Sequence, residues 1–246
     1  MYWEIFFDIH KDLPRQGSGR DKYTKKAFDM IPKLKQPLIL DIGCGPGLQT
    51  IKLAKLTDGR IIAIDVHQPY MDQLKQSAIK EELLDRIEIL NKSMFNMDFP
   101  EEYFDIIWAE GSIFIIGFEK GLEEWKKYIK NDGYLAIHEM TWLKDNPPKE
   151  IWDFWQRIYP AITTIPNMLD TIKKQGYKII GHFPLPEDAW WDLYYTPLEE
   201  RLKKLEIKYK DNKKAQELIK AGYEEIELFR KYNQWYGSVF FIMQKL

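Results

Sequence analysis

One cysteine, Cys44, among 246 residues is the chain's clearest shortage. It excludes an intramolecular disulfide and leaves no set of thiolates for a metal. An excess of one charge is also missing. The 36 Lys and Arg against 38 Asp and Glu leave a formal net charge of −2, which gives nucleic acid little long-range attraction. No apolar run reaches the ~18 residues of a membrane-spanning helix. The opening MYWEIFFDIHKD carries acids where a signal peptide needs basic residues. A soluble, cytoplasmic protein is therefore expected. No internal repeat, low-complexity tract or linker separates a second independent unit, and 246 residues suit one large domain with a sizeable core.

What is abundant is aromatic. Aromatic residues are 15% of the chain, and of nine tryptophans six (Trp142, Trp152, Trp155, Trp190, Trp191 and Trp235) follow residue 140. The C-terminal part is thus expected to build something different from the N-terminal part.

Patterning predicts alternating elements. SGRD, with Asp21 three residues after Ser18, has capping-box spacing ahead of a helix from about Arg20 to Ile31. PLILDIG is a short apolar run, read as a buried strand. A helix follows from Leu48 to Leu56, then a strand over Arg60–Val66 and a helix carrying Tyr70, Met71, Leu74 and Ile79. RIEIL and FDIIWAE (Phe104–Glu110) are the third and fourth strands. Phe118, Leu122, Trp125 and Ile129 space a helix stopped at Asn131-Asp132-Gly133, and Gly133–Met140 is the fifth strand. Such alternation implies parallel pairing through right-handed crossovers, an α/β doubly wound sheet. After Met140 the rhythm breaks and resumes with a helix over Ile165–Gln175, a strand over Gly176–Pro186 and a closing strand YGSVFFIMQKL. The reading is a single domain over 1–246, with an N-terminal cover at 1–32. Insertions at about 141–165 and 187–236 suggest a substrate lid.

LDIGCGPG lies between the first strand and the first helix. In a doubly wound sheet, ligands bind beyond the carboxyl ends of the strands. Glycines there permit a tight turn and a close backbone approach. The spacing Gly43-x-Gly45-x-Gly47 is one residue shorter than the dinucleotide fingerprint, and Asp65 ends the second strand where a ribose-binding carboxylate belongs. The two features specify a nucleoside ligand and lean away from a pyrophosphate.

LDIGCGPG, IIAIDVH, NKSMFNMDFPEEYFDIIWAEGSIF and NDGYLAIHEMTW together resemble the class I S-adenosylmethionine-dependent methyltransferases. LPRQGSG, AEGSIFIIGFEKGL and YGSVFFI are similar to a subgroup of small methyltransferases of unsettled substrate. The resemblance implies a Rossmann-like seven-stranded sheet with an antiparallel last strand, helices on both faces, and S-adenosylmethionine as cofactor. It implies cofactor contacts from Gly43, Cys44, Gly45 and Gly47 with the flanking Asp41, and from Asp65 (to the ribose) and Val66. It also puts Ser93 and Met94 near the adenine, and Arg15 and Gly17 over the methionine end.

Methyl transfer from a sulfonium needs an aligned nucleophile at about 3–3.5 Å and, for a protonated nucleophile, a base. It needs no metal. Asn-Pro-Pro-Tyr is absent after the fourth strand and no Pro-Cys pair exists, which argues against a nucleic-acid base as acceptor. Candidate catalytic groups are Glu110 and His138; Glu139 alternates with His138 and faces away from it. Asp8, His10 and Tyr23 are further candidates from the cover. Against the sulfonium itself, Glu110 would favour the cationic ground state, so its useful places are at the cofactor's ammonium or at the nucleophile. Trp142, Trp152, Trp155 and Trp191 are the candidate acceptor-binding residues, suited to a flat apolar or cationic small molecule. The expected function is methylation of a small molecule, with no nucleic-acid or membrane partner; a homodimer stays open. The competing readings are a methyltransferase of RNA or protein, a non-catalytic cofactor-binding protein, and a nicotinamide oxidoreductase.

Overall fold

The computed structural model describes residues 2–246. The chain starts with α1 (Tyr2–Ile9) and α2 (Asp21–Phe28), which precede the sheet. The first half then runs β1 (Leu38–Ile42), α3 (Leu48–Leu56), β2 (Arg60–Asp65), α4 (Gln68–Lys80), β3 (Ile87–Asn91), β4 (Phe104–Glu110), α5 (Phe118–Lys126) and β5 (Ile129–Trp142). The second half adds α6 (Lys149–Ile158), a two-residue β6 (Thr163–Thr164), α7 (Ile165–Lys174) and β7 (Tyr177–Pro184). It ends with α8 (Asp188–Trp190), α9 (Thr196–Lys208), α10 (Lys213–Tyr232) and β8 (Tyr236–Lys245). No helix among the described residues is long and apolar enough to cross a membrane.

The sheet has eight strands in the order β3-β2-β1-β4-β5-β8-β7, with β6 paired beside β5. β1 to β5 pair in parallel, and β8 runs antiparallel to both β5 and β7. Order reverses between β1 and β4, so the carboxyl ends of those two strands flank the switch point where doubly wound sheets bind ligands. Helices cover both faces, so the central strands are apolar on both. Ile39, Ile106, Trp108 and Ala136 pack into one buried cluster, while Leu40, Ile42, Ile107, Ala109 and Ile137 pack into another.

Three local expectations change. The Ser18–Asp21 capping box does not form. Arg20 is the N-cap and gives no side-chain bond, whereas the Ser18 hydroxyl meets the Ser238 hydroxyl at 2.8 Å and ties the cover to β8. Asn131-Asp132-Gly133 does not stop a helix. α5 has already ended at Lys126, and β5 absorbs the three residues where its register against β4 shifts, with Asp132 at φ 61°. A bulge accommodates the surplus residues without ending the strand. The short β6, paired to β5 beyond the end of β4, is an addition to the seven strands expected.

The N-terminal cover is anchored to the C-terminal helices. Asp8 of α1 takes an ion pair from Arg201 at 2.7 Å, another from Lys208 at 2.5 Å, and a hydrogen bond from the Tyr209 hydroxyl at 2.8 Å. Phe7 stacks on His67, just past β2, with ring centroids 3.7 Å apart.

Candidate cofactor site

At the end of β1 the chain turns through Gly43, Gly45 and Gly47, at φ 71°, 53° and 87°. Space as well as conformation requires two of these glycines. A Cβ on Gly43 would lie 2.5 Å from the Ser112 Cβ, and one on Gly47 would lie 2.2 Å from the Leu74 Cδ1. The turn therefore packs against the loop after β4 on one side and α4 on the other. Its amides are already used. Gly43 and Cys44 donate to the Ile64 carbonyl, Gly47 to the Cys44 carbonyl, and Gly45 to the Asp65 carboxylate at 3.0 Å. The turn thus offers a smooth surface rather than free donors. Above Gly45 only the Gln16 Cγ would approach a Cβ, at 3.8 Å, and a Cβ on Gly17 would meet nothing within 4 Å. The cover therefore leaves room between itself and the turn.

Asp65 is oriented by two amides, Gly45 on Oδ2 and His67 at 2.9 Å on Oδ1. Val66 beside it is 61% exposed. The Ser93 hydroxyl accepts the Phe95 amide at 3.2 Å, and the Met94 Cε would lie 3.8 Å from a Cβ on Gly43. The Cys44 thiol is buried, and burial pushes its pKa well up, so it is not a nucleophile at neutral pH.

Glu110 settles deeper than its strand-end position implied. It accepts from Arg15 Nη2 at 2.7 Å on Oε2, and from Thr24 at 2.7 Å and the Trp108 indole at 2.9 Å on Oε1. Arg15 is 6% exposed and the Glu110 side chain 0%. Burial alone would raise the Glu110 pKa; the Arg15 charge, the neighbouring His138 and the two neutral donors bring it below the ordinary carboxylate range. Both oxygens are engaged and the proton affinity is low, so the group suits an ion-pair anchor better than a proton acceptor. Thr24 and Trp108 were not legible as parts of this site. Trp108 carried a signal in hindsight, because residues two apart on a strand share a face.

Three polar groups around this pair have open valences. Arg15 Nη1, Asp41 Oδ1 and both ring nitrogens of His138 are buried without a protein partner. Asp41, at the end of β1, accepts from Thr50 at 2.5 Å through its other oxygen. Burial raises its pKa to about 7 against the pull of Thr50. His138 lies 3.7 Å from Glu110, and its burial lowers its pKa to about 4 despite that carboxylate. It is neutral at pH 7 and a weak base. The remaining cover candidates are tied elsewhere. Asp8 is held by α9, the His10 Nδ1 lies 2.9 Å from the Phe6 carbonyl, and the Tyr23 hydroxyl donates to Asp188.

The tryptophans separate. Trp142 and Trp155 are buried against Tyr236, with centroids 6.4 and 5.1 Å from it. Trp191 bonds Glu187 at 2.9 Å and lies between Phe229 and the Arg230 guanidinium. Trp152, stacked on Trp142, is 43% exposed and presents a free face. Among the described residues, no cluster of His, Cys, Asp or Glu could hold a metal ion.

These features fit S-adenosylmethionine. A buried guanidinium with a spare donor complements a carboxylate, a buried carboxylate with a spare oxygen complements an ammonium, and Asp65 can accept from ribose hydroxyls. Fold and site define an α/β protein with buried, unpartnered polar groups beside a glycine turn at the switch point.

Comparison with known proteins makes this particular. Residues 39–133 match the family model described as a methyltransferase domain. That span holds the glycine turn, Asp65, Ser93, Met94 and Glu110, so over these residues the chain is similar to methyltransferase domains. It is 25% identical over 177 residues to a sterol 24-C-methyltransferase of Neurospora crassa, covering 69% of this chain and 47% of that one. The chain spans about half the length of the curated relatives it matches first. Among solved structures, a methyltransferase from Geobacter sulfurreducens in complex with S-adenosylhomocysteine superposes with TM-score 0.82 at 18% identity, covering 99% of this chain and 98% of that one. The [4+2]-cyclase SpnF superposes with TM-score 0.75 at 16% identity, covering 99% and 92%.

Proposed function

We propose that the protein transfers a methyl group from S-adenosylmethionine to a small-molecule acceptor. The observation that carries this reading is the pair of buried open valences, Arg15 Nη1 and Asp41 Oδ1, beside the glycine turn. Interior polar groups without partners are rare in native proteins, so a donor and an acceptor left open together point to a ligand that supplies both. S-adenosylmethionine, when bound, supplies an electrophilic methyl carbon. Arg15 holds its carboxylate, Asp41 its ammonium and Asp65 its ribose, while Val66, Ser93 and Met94 border the adenine.

Glu110 acts through Arg15. Its charge is spent on the guanidinium at 2.7 Å, so it fixes the direction in which Nη1 points. His138, neutral and adjacent, lends the recess one donor and one acceptor. C-terminal insertions close the acceptor side as a lid, with Trp152 as its exposed aromatic.

A small acceptor fits better than RNA or protein. The basic run at 203–214 is partly consumed in ion pairs, Lys203 with Glu200 and Lys208 with Asp8. The sterol methyltransferase relative likewise bears the name of a small, apolar substrate. The likeness to SpnF favours a second reading, a cofactor-binding protein with other chemistry, because a named cyclase has this fold. Calorimetry with S-adenosylmethionine, S-adenosylhomocysteine and NAD tests the cofactor; binding of NAD alone refutes the proposal. Radiolabelled methyl transfer into a metabolite extract separates an enzyme from a binding protein, and an unlabelled extract favours the second reading.

A further inference from the structure

Beyond the cofactor recess lies a second unsatisfied pair. Glu139 follows His138 on β5 and points to the opposite face of the sheet. It is 3% exposed; its Oε1 accepts the Met140 amide at 2.7 Å and its Oε2 has no partner. Tyr159, just past α6, also has a buried hydroxyl without a partner. Phe114 links the two: its amide hydrogen-bonds to the Glu139 carboxyl, and its ring meets the ring of Tyr159.

The two segments that meet at this pair carry exposed apolar residues. Phe114, on the turn after β4, meets the Tyr159 ring edge-on at 6.0 Å. Phe114, Ile115 and Ile158 are 47%, 53% and 52% exposed, unusual values for three large apolar residues this near to buried polar groups. The place is apt for an acceptor. Ser112, at one end of the turn, packs on Gly43 of the cofactor turn, and Phe114, two residues on, reaches Tyr159.

The chemistry of the pair narrows the ligand. Burial pushes the Glu139 carboxyl up to about 8, against the pull of the Met140 and Phe114 amides. At neutral pH it is mostly protonated, so both Glu139 and Tyr159 can donate and accept hydrogen bonds. A neutral hydroxyl matches that pair, whereas a second anion would be repelled once Glu139 ionised.

We propose that Glu139 and Tyr159 form an acceptor-recognition site that binds the hydroxyl group of an apolar alcohol or phenol, whose body lies on Phe114, Ile115 and Ile158. This rests on the methyltransferase reading and gives it a substrate class. The test uses the full chain saturated with S-adenosylhomocysteine, titrated with 1-naphthol and with 1-methoxynaphthalene and followed by tryptophan fluorescence. The wild type should prefer the naphthol by about tenfold, the worth of one to two hydrogen bonds. Tyr159→Phe and Glu139→Leu should bring that ratio towards one, while Glu139→Gln, which keeps a donor and an acceptor, should retain most of it. All three should bind S-adenosylhomocysteine as the wild type does. If the naphthol fails to bind the wild type, or the ratio is unmoved by Tyr159→Phe, the proposal is overturned. Failure of S-adenosylhomocysteine to bind the wild type would instead remove the methyltransferase reading beneath it. Should Glu139→Leu not fold, Tyr159→Phe and Glu139→Gln decide the matter.

Discussion

Replacing Glu110 by glutamine keeps the shape of the side chain and removes its charge. Arg15 would then remain buried, 6% exposed, with no anion in contact. The carboxylate serves three donors, Arg15 on one oxygen, Thr24 and Trp108 on the other. A carboxamide has one acceptor oxygen; if it serves Thr24 and Trp108, its amino group is turned to the Arg15 guanidinium, donor against donor. Breaking a buried ion pair by removing one partner costs about 3–5 kcal/mol. For a chain of this size each kcal/mol lowers Tm by about 2–4 °C, so the expected fall is about 6–20 °C. Arg15→Met removes the other partner and leaves Glu110 with its two neutral donors. Two single variants and the double variant, measured by urea denaturation, complete a cycle. The double variant should be clearly less destabilised than the sum of the singles, since it buries no uncompensated charge. Both singles should also bind S-adenosylhomocysteine more weakly, one by losing Arg15 and the other by misdirecting it. A loss below about 1 kcal/mol for Glu110→Gln, or additivity within about 0.5 kcal/mol, would refute the anchoring role.

Other perturbations separate parts of the same site. Asp65→Ala should weaken S-adenosylhomocysteine binding by about tenfold or more, as expected for lost hydrogen bonds to a charged group, and unchanged calorimetric affinity would mean the ribose lies elsewhere. Gly43→Ala forces a Cβ to 2.5 Å from the Ser112 Cβ at φ 71°, and should cost about 1–3 kcal/mol from crowding alone; a Tm within a degree of wild type would contradict the packing. The pH dependence of the ligand-free protein follows from Asp41 at about 7 and Glu139 at about 8. Both are raised, so the native state keeps protons that the unfolded chain has released, and stability falls as pH rises through these values. The lowered pKa of His138, about 4, acts oppositely, but only below the unfolded histidine value of 6.5. Between about pH 6.5 and 8.5 only the fall should remain, and Asp41→Asn should flatten its lower half; a Tm that climbs over that interval would contradict the burial argument.

Local signals and long-range contacts differ in what they leave in a sequence. The bounds of β4 and α3 were legible because they depend on neighbouring residues, an apolar run stopped by Gly111 and a helix opened after Gly47. Where a local signal has two physical uses, reading fails. Asn131-Asp132-Gly133 favours positive φ and turns, and a bulge inside β5 uses that preference as readily as a helix stop would. Ser18 was a plausible cap until β8 brought Ser238 within 2.8 Å of it. The glycine turn and Asp65 were legible as a nucleoside signature, but that the turn's amides are bonded within the protein was not.

Glu110 shows most clearly why the rest was not readable. Its partner Arg15 is 95 residues away and Thr24 is 86 residues away, on a cover whose position depends on anchors to α9 and β8. Charge reasoning alone could say where Glu110 would be unhelpful, against the sulfonium, and which two places remained. In the structure both of its oxygens are bonded within the protein, one to Arg15 and the other to Thr24 and Trp108. An unpaired Glu110 beside the sulfonium would be a buried, uncompensated charge in every ligand-free molecule and would stabilise the cationic ground state. Pairing it permanently with Arg15 removes both penalties and leaves a guanidinium whose free edge is held in one direction before the cofactor arrives. Preorganisation of this kind lowers the ordering cost of binding. On the proposed reading, the carboxylate that interrupts the fourth strand acts at one remove, as the group that aims another.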